Sequence, residues 1–196
     1  MIKTRTFNPA NIPRAATSSA RRADKLAEFD LAPRILGVDP GLLRTGYGVI
    51  QSDGSRLKLI EGGVLRAKPA DPFPKRLQEL HDGLAEVIRD NKPDLLVIED
   101  LFSTYAHPRS ALLMAHARGV LMLAGQEAGL PVHSFTPNEI KQVVTGNGHA
   151  TKSNVQAAVK ARLRLTIDLH PPDVADALAI AICFALRQAT SDKLGN

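Results

Sequence analysis

Four acidic residues of this chain have the type and placement that a metal-dependent reaction needs. Asp39 and Glu99 each follow a run of four apolar residues, which is typical of the end of a buried strand. Asp173 and Asp176 are three residues apart at the start of an apolar segment, so on a helix they would share one face. Carboxylates are the hard oxygen ligands that Mg²⁺ and Mn²⁺ prefer, and two such ions about 4 Å apart can promote phosphodiester hydrolysis.

Each acid also has a structural interpretation. Asp39 precedes a Pro-Gly pair and suits a tight turn, while Asp173 could serve only as a residue of the first helical turn. Glu99 is harder to explain in this way, because an unpaired carboxylate at the end of a buried strand is costly. Asp176 leads directly into an apolar run and does not look like a solvated position. The four together favour a site more strongly than any one alone.

The elements that would position these acids follow from the hydrophobic pattern. Segments 35–38, 45–50 and 56–65 are predicted strands of an antiparallel meander, followed by a helix over 73–89 and a buried parallel strand over 95–98. The remaining predictions are a helix over 110–128, a strand over 132–135, and helices over 138–144, 153–163 and 172–187. This order predicts an α/β domain with a mixed sheet flanked by helices. If the strands that end at Asp39 and Glu99 are neighbours, the two carboxylates meet at one sheet edge.

Composition is compatible with this interpretation but does not decide it. The chain has 196 residues, 44% of them apolar, enough for one substantial domain. Its net charge of +5 invites a nucleic-acid partner, yet residues 1–34 carry +4 of it and the remainder only +1. No apolar run approaches the ~18 residues of a membrane span, so no membrane partner is expected. The lone Cys183 lies in an apolar run and is predicted to be a buried thiol in a reducing cytosol.

The chain divides into an arm, a domain and a short tail. Residues 1–33 are predicted to be a poorly ordered basic arm, 34–190 the folded domain, and 191–196 the C-terminal tail. The arm could be a solvated extension, a DNA-contacting tail, or an organelle transit peptide. Acidic Asp24, Glu28 and Asp30 oppose the last of these, so a cytoplasmic, bacterial location is the main expectation.

Several segments resemble one family, the RuvC-type Holliday-junction resolvases. ILGVDPGLLRTGYGVI, LLVIEDLF and HPPDVADALAIAI resemble its three acidic motifs, and SALLMAHARGVLM and VVTGNGHATKSNV match further blocks. The resemblance covers about residues 35–186 in the family's order. It implies an RNase H-like fold with a mixed five-stranded sheet, and a homodimer that resolves four-way DNA junctions in homologous recombination and DNA repair. It also implies a branch-migration helicase complex as a partner.

The resemblance assigns roles to individual residues. It implies that Asp39, Glu99, Asp173 and Asp176 are the catalytic ligands of Mg²⁺, with Mn²⁺ as an alternative and two ions per active site. It further implies that Lys141 and Lys152 are DNA-facing cations, although the residues alone would favour solvated helix ends.

The loop after Glu99 departs from the family pattern. Phe102 could stack on an unpaired base at the junction centre, with core packing as its alternative, and Tyr105 could act similarly. The segment Ser103–Pro108 lacks the family's Lys-Asn pair, and Arg109 is a candidate for the missing charge. Junction opening and the preferred cleavage sequence therefore stay open.

The helix over 110–128 is apolar nearly all round and must be covered on more than one side. Core on one side and a two-fold partner on the other, as the resemblance implies, would satisfy it. Two other function classes fit parts of the pattern. An ATP-binding protein of the actin-like class also opens with a strand and an Asp-x-Gly turn, but it needs a second domain. A non-catalytic junction-binding module should lack at least one acid.

Overall fold

The computed structural model describes residues 29–101 and 108–194, in which five strands form one sheet. The strands are β1 (Arg34–Asp39), β2 (Arg44–Ser52), β3 (Leu57–Arg66), β4 (Leu95–Glu99) and β5 (Val132–Phe135). The long helices are α1 (Phe73–Asn91), α2 (Pro108–Glu127), α3 (Pro137–Thr145), α4 (Lys152–Arg162) and α5 (Pro172–Leu194). Every strand and helix predicted from the hydrophobic pattern is present, with bounds that differ by a few residues at most ends.

The sheet is mixed, with strand order β3-β2-β1-β4-β5. β1 pairs antiparallel with β2 and parallel with β4, so the predicted meander and parallel strand are both confirmed. Val38 lies opposite Ile98 in the parallel pair. The next residue on each strand is an acid, and Asp39 and Glu99 therefore leave the sheet side by side at its carboxyl edge.

The two faces of the sheet bury two separate sets of apolar side chains. Side chains of a strand alternate between the faces, so neighbours in sequence enter different cores. Leu36 and Val38 pack with residues of α1 and α2, while Ile35 and Val97 pack with residues of α3, α4 and α5. The acids lie at the edge of the sheet, at the boundary of both cores.

Helix α5 is the most apolar helix of the described residues. Its segment Pro172–Lys193 is long and apolar enough to cross a membrane by length and composition, a property that core helices of soluble proteins share. The expectation from the sequence concerned an uninterrupted apolar run, and α5 contains none of that length, because Asp173, Asp176 and Arg187 interrupt its apolar residues. The helix packs against β1, β2 and β3, where Cys183 is buried as predicted. Burial raises the pKa of the Cys183 thiol to about 12, which keeps it protonated. The helix also continues to Leu194, past the predicted end at 187.

Glycines on β1 and β2 let the backbone of α5 lie directly on the sheet. A Cβ at Gly37 would stand 2.2 Å from the carbonyl oxygen of Ala177, and one at Gly46 would stand 2.2 Å from that of Asp173. Gly46 is the cross-strand partner of Asp39. The close packing therefore brings the first turn of α5 up to the end of β1.

The β1–β2 turn is fixed by its own hydrogen bonds. The Thr45 hydroxyl accepts from the Gly41 amide at 3.2 Å and donates to the Gly41 carbonyl at 2.7 Å. A Cβ at Gly41 would lie 2.1 Å from the carbonyl oxygen of Arg44, so the turn requires glycine there. The turn holds Asp39 and Arg44 at its two ends.

The described end of the predicted arm is attached to the sheet. Phe29 is buried beneath the guanidinium of Arg56, which lies 4.6 Å from the ring centroid. The Gln51 amide donates to the carbonyls of Asp30 and Ala32 at 3.0 and 2.9 Å. Residues 29–33 thus pack against β2 and β3, while the rest of the arm lies outside the described residues.

Replacing Gly37 by Ala should destabilise the protein by about 2 kcal/mol, because the added methyl group meets backbone atoms that cannot rotate away. Urea unfolding followed by far-UV circular dichroism measures the change. Gly83→Ala is the matched control, since its Cβ would meet only the flexible end of Leu65 at 3.2 Å. Equal stability of the two variants would contradict the proposed close packing.

Candidate active site

Two of the four acids lie at strand ends without a partner. In residues 29–101 and 108–194, neither the Asp39 nor the Glu99 side chain has a hydrogen bond or an ion pair. Burial, followed by repulsion from Glu99, Asp176 and Asp173, raises the pKa of Asp39 to about 8. Burial and repulsion from Asp176 likewise raise the pKa of Glu99 to about 7. These shifts also show that the acids predicted to converge do lie within electrostatic reach of one another.

The two helix-borne acids are instead held by cations. Asp173 lies in the first turn of α5, and its Oδ2 is 2.5 Å from a terminal nitrogen of Arg44. Asp176, one turn further along, has its Oδ2 2.6 Å from the Nζ of Lys152. The site is therefore unevenly compensated, because among the described residues cations pair with the two helix acids and not with the two strand acids.

Both predicted lysines face this cluster. Lys152 is the first residue of α4, and the Thr151 side chain caps that helix by accepting from the Asn154 amide. The hydrogen bond to Asp176 raises the pKa of Lys152, and the charges of Asp39 and Asp173 add to the effect. The ammonium group therefore stays charged next to the acids.

Lys141 lies on α3, which begins with a reciprocal capping box between Thr136 and Glu139. The positive charge of Lys141 lowers the pKa of Glu99, and this opposes the larger effect of burial. The two helices thus bring one lysine each toward the strand acids, as the resemblance implied.

Of the three further predicted site residues, only Arg109 lies among the described residues. Phe102 and Tyr105 lie outside the described residues, so their predicted stacking on DNA stays a prediction. Arg109 is exposed in the first turn of α2, and no contact among the described residues links it to the acids.

Two arginines at the site were missed by reasoning from the sequence. Arg44 pairs with Asp173 across 129 positions of sequence, and Arg118 of α2 donates to the Glu99 carbonyl across 19 positions. Neither contact has a local sequence signal, since an exposed arginine after a turn and one within an apolar helix are both common. Only proximity to a predicted acidic site, which requires the fold, identifies them.

The residues fit a divalent cation in chemical type and in charge. Four carboxylates form an all-oxygen donor set, and burial together with repulsion between the carboxylates raises the pKa values of Asp39 and Glu99 by more than the nearby lysines lower them. As placed, no three acidic, imidazole or thiol side chains among the described residues are close enough together to hold an ion. The ion pairs of Asp173 and Asp176 explain this, because their carboxylates are directed at Arg44 and Lys152. A metal ion must therefore compete with these two cations.

The sequence is similar to one family over most of its length. The profile described as "Crossover junction endodeoxyribonuclease RuvC" matches residues 35–184. A protein of that name from Rhodopirellula baltica is 52% identical over 149 residues, covering 76% of this chain and 84% of the relative. One from Desulforamulus reducens is 46% identical over 156 residues, covering 80% of this chain and 95% of the relative.

Solved structures agree with this similarity. The Thermus thermophilus RuvC in complex with Holliday junction substrate is 32% identical, with a TM-score of 0.77, and the match covers 81% of this chain and 96% of that one. The yeast mitochondrial Holliday junction resolvase Ydc2 shares the fold at 15% identity and a TM-score of 0.58, with 88% and 89% of the chains covered.

Replacing Asp39 by Asn should stabilise the metal-free protein above neutral pH. The pKa of Asp39 is about 8 in the folded protein, compared with the ordinary value of 3.8 expected in the unfolded chain. The free energy of unfolding therefore falls as pH rises from about 4 to 8. Removing the charge should raise stability at pH 8 by on the order of 2 kcal/mol, and by little at pH 4. Thermal unfolding in EDTA at both pH values measures the difference. A variant less stable than wild type at pH 8 would contradict this account of the site.

Proposed function

The chain belongs to the RuvC family of crossover junction endodeoxyribonucleases, and we propose that it resolves four-way DNA junctions by phosphodiester hydrolysis. The proposed active site consists of Asp39, Glu99, Asp173 and Asp176. The observation that carries this proposal is the meeting of all four acids at one sheet edge beside two lysines. The solved relative in complex with Holliday junction substrate supports the choice of DNA. The expected roles are homologous recombination and DNA repair.

The cofactor is a divalent metal ion, Mg²⁺ or Mn²⁺, with two ions per site. When bound, such ions polarise the phosphate and make a water molecule nucleophilic at neutral pH. The carboxylates must be ionised to serve as ligands, so Asp39, with a pKa of about 8, has to release a proton when the site is filled near neutral pH. Once ionised, the two strand acids would supply negative charge to the bound cations.

Cationic side chains position the DNA backbone. Lys141 and Lys152 flank the acids, and Arg44 adds a guanidinium that is 44% exposed. Outside the first 34 residues the chain carries a net charge of only +1. Affinity for a polyanion must therefore come from a few placed side chains and from the metal ions, which reverse the sign of the acidic site.

The exposed face of α2 supports a homodimer. Leu112 and Leu123 are 65% and 50% exposed, and they lie on the same face of the helix as exposed Ala115 and Gly119. The opposite face is buried, with Ala117, Leu121 and Ala124 in the core. A two-fold pairing through the exposed face would cover these leucines and give each dimer two active sites for two strands of the junction.

Neither rival function accounts for the chain as well. The family profile that covers residues 35–184 is that of a crossover junction endodeoxyribonuclease, not of an actin-like ATP-binding protein. A non-catalytic junction-binding module has no need of four acids, yet all four are present. Association with a branch-migration helicase and a cytoplasmic location stay predictions.

Cleavage of a synthetic four-way junction tests the function directly. With Mg²⁺, wild type should nick two opposite strands, while Asp39→Asn and Glu99→Gln should lower the single-turnover rate at least about 100-fold and still bind the junction. Glu86→Gln, at an exposed acid of α1, is the matched control and should cleave normally. Normal nicking by either site variant would refute the assignment, and ATP binding without junction binding would favour the actin-like class.

Charge on the exposed face of α2 should separate the subunits. Leu123→Glu should convert the dimer to a monomer, because two carboxylates would be buried at the two-fold interface without partners. Light scattering at micromolar concentration gives the mass, and the far-UV spectrum shows whether the fold persists. Gln78→Glu on the exposed surface of α1 is the control. A monomeric wild type would contradict the proposed interface.

A further inference from the structure

The guanidinium of Arg118 contacts three groups at once. Its Nε donates to the backbone carbonyl of Glu99 at 3.0 Å, and a terminal nitrogen donates to the Ser134 hydroxyl at 2.7 Å. The same terminal nitrogen lies 3.2 Å from a carboxylate oxygen of Asp100. The Arg118 side chain is only 18% exposed, whereas the Asp100 side chain is 46% exposed.

These three groups mark the point where the chain leaves the sheet. Glu99 is the last residue of β4, and Ser134 lies on β5 opposite Ile98. Asp100 follows the strand, and its amide donates to the Phe135 carbonyl at 2.8 Å. Arg118 thus joins the ends of two parallel strands to α2 from a single planar group.

Glu99 needs such support because its side chain receives none. The carboxylate has no hydrogen bond or ion pair among the described residues, and Asp176 repels it. The pairing of β1 with β4 runs only as far as Val38 and Ile98. Control over where the carboxylate stands must therefore come from its backbone, and the Arg118 bond is made to the carbonyl of that residue.

We propose that Arg118 is a positioning residue that fixes Glu99 as a metal ligand through the backbone carbonyl, an inference that rests on the proposed metal-dependent function. A charge-assisted hydrogen bond is stronger and more directional than a neutral one, and a planar fork can hold several acceptors in fixed directions. Lysine, a single ammonium on a flexible chain, cannot reproduce the three contacts. Because α2 also carries the proposed subunit interface, Arg118 makes the position of Glu99 depend on that helix.

Arg118→Lys and Arg118→Ala in the full-length protein test the proposal. The first readout is Mn²⁺ affinity by calorimetry at pH 8, which should fall about tenfold or more, as is usual when the support of a metal ligand is lost. The second is amide hydrogen exchange, which should accelerate at Asp100 and Leu101. The third is single-turnover junction cleavage, which should slow at low Mn²⁺ and recover in part at high Mn²⁺.

Matched variants separate positioning from general stability. Arg89→Lys, at a 70% exposed arginine of α1, should leave all three readouts unchanged. Ser134→Ala removes one contact and keeps the bond to the Glu99 carbonyl, so it should weaken Mn²⁺ binding less than Arg118→Lys does. Thermal unfolding monitors the fold, and Arg118→Lys should change the unfolding temperature little.

Unchanged Mn²⁺ affinity in a folded Arg118→Lys protein would overturn the proposal. So would a loss of Mn²⁺ affinity in Arg118→Ala that disappears when the protein is assayed well below its unfolding temperature. Failure of the wider function has a different signature. If wild type binds Mn²⁺ but does not cleave junctions, the proposed substrate is wrong, and the calorimetric and exchange data still decide the role of Arg118.

Discussion

The backbone of α5 lies directly on β1 and β2, and the rest of the site depends on that contact. Gly37 and Gly46 leave no room for a Cβ between the helix and the sheet. Because Gly46 pairs with Asp39 and also touches the first turn of α5, the packing places Asp173 and Asp176 beside the end of β1. A wider separation would leave two pairs of acids too far apart to act as one site.

The cost of this arrangement is electrostatic. Burial raises the pKa values of Asp39 and Glu99 most, and repulsion between the carboxylates at this sheet edge adds to the penalty. Arg44 and Lys152 relieve it on the helix side only. The strand acids have no such partner, so the metal-free protein loses stability as pH rises from about 4 toward their raised pKa values. Loss of stability at a site that must bind cations is the usual compromise between folding and activity.

The two layers of helices contribute differently to the site. On one face α3 supplies Lys141, α4 supplies Lys152 as its first residue, and α5 supplies the two acids, with capping side chains at the starts of α3 and α4. On the other face α2 supplies Arg118, which donates a hydrogen bond to the backbone carbonyl of Glu99 at the end of β4. The strand ends between the layers are thus fixed from both sides, and the outer surface of α2 remains exposed.

The sequence by itself determined the elements, the mixed sheet and the four acids, because each of these has a local signal. Apolar runs of four residues, a Pro-Gly turn and an i, i+3 pair of acids can be recognised in the sequence without knowledge of the fold. The family resemblance added Lys141 and Lys152. Only the tertiary structure decided which charges are compensated, since Arg44 meets Asp173 across 129 positions and Arg118 reaches a backbone carbonyl that no residue pattern encodes. Likewise, only the packing of α5 against β1 and β2 identifies this long apolar helix as a core helix. Long-range contacts of this kind depend on how closely two backbones approach, and that distance is a property of the packed fold.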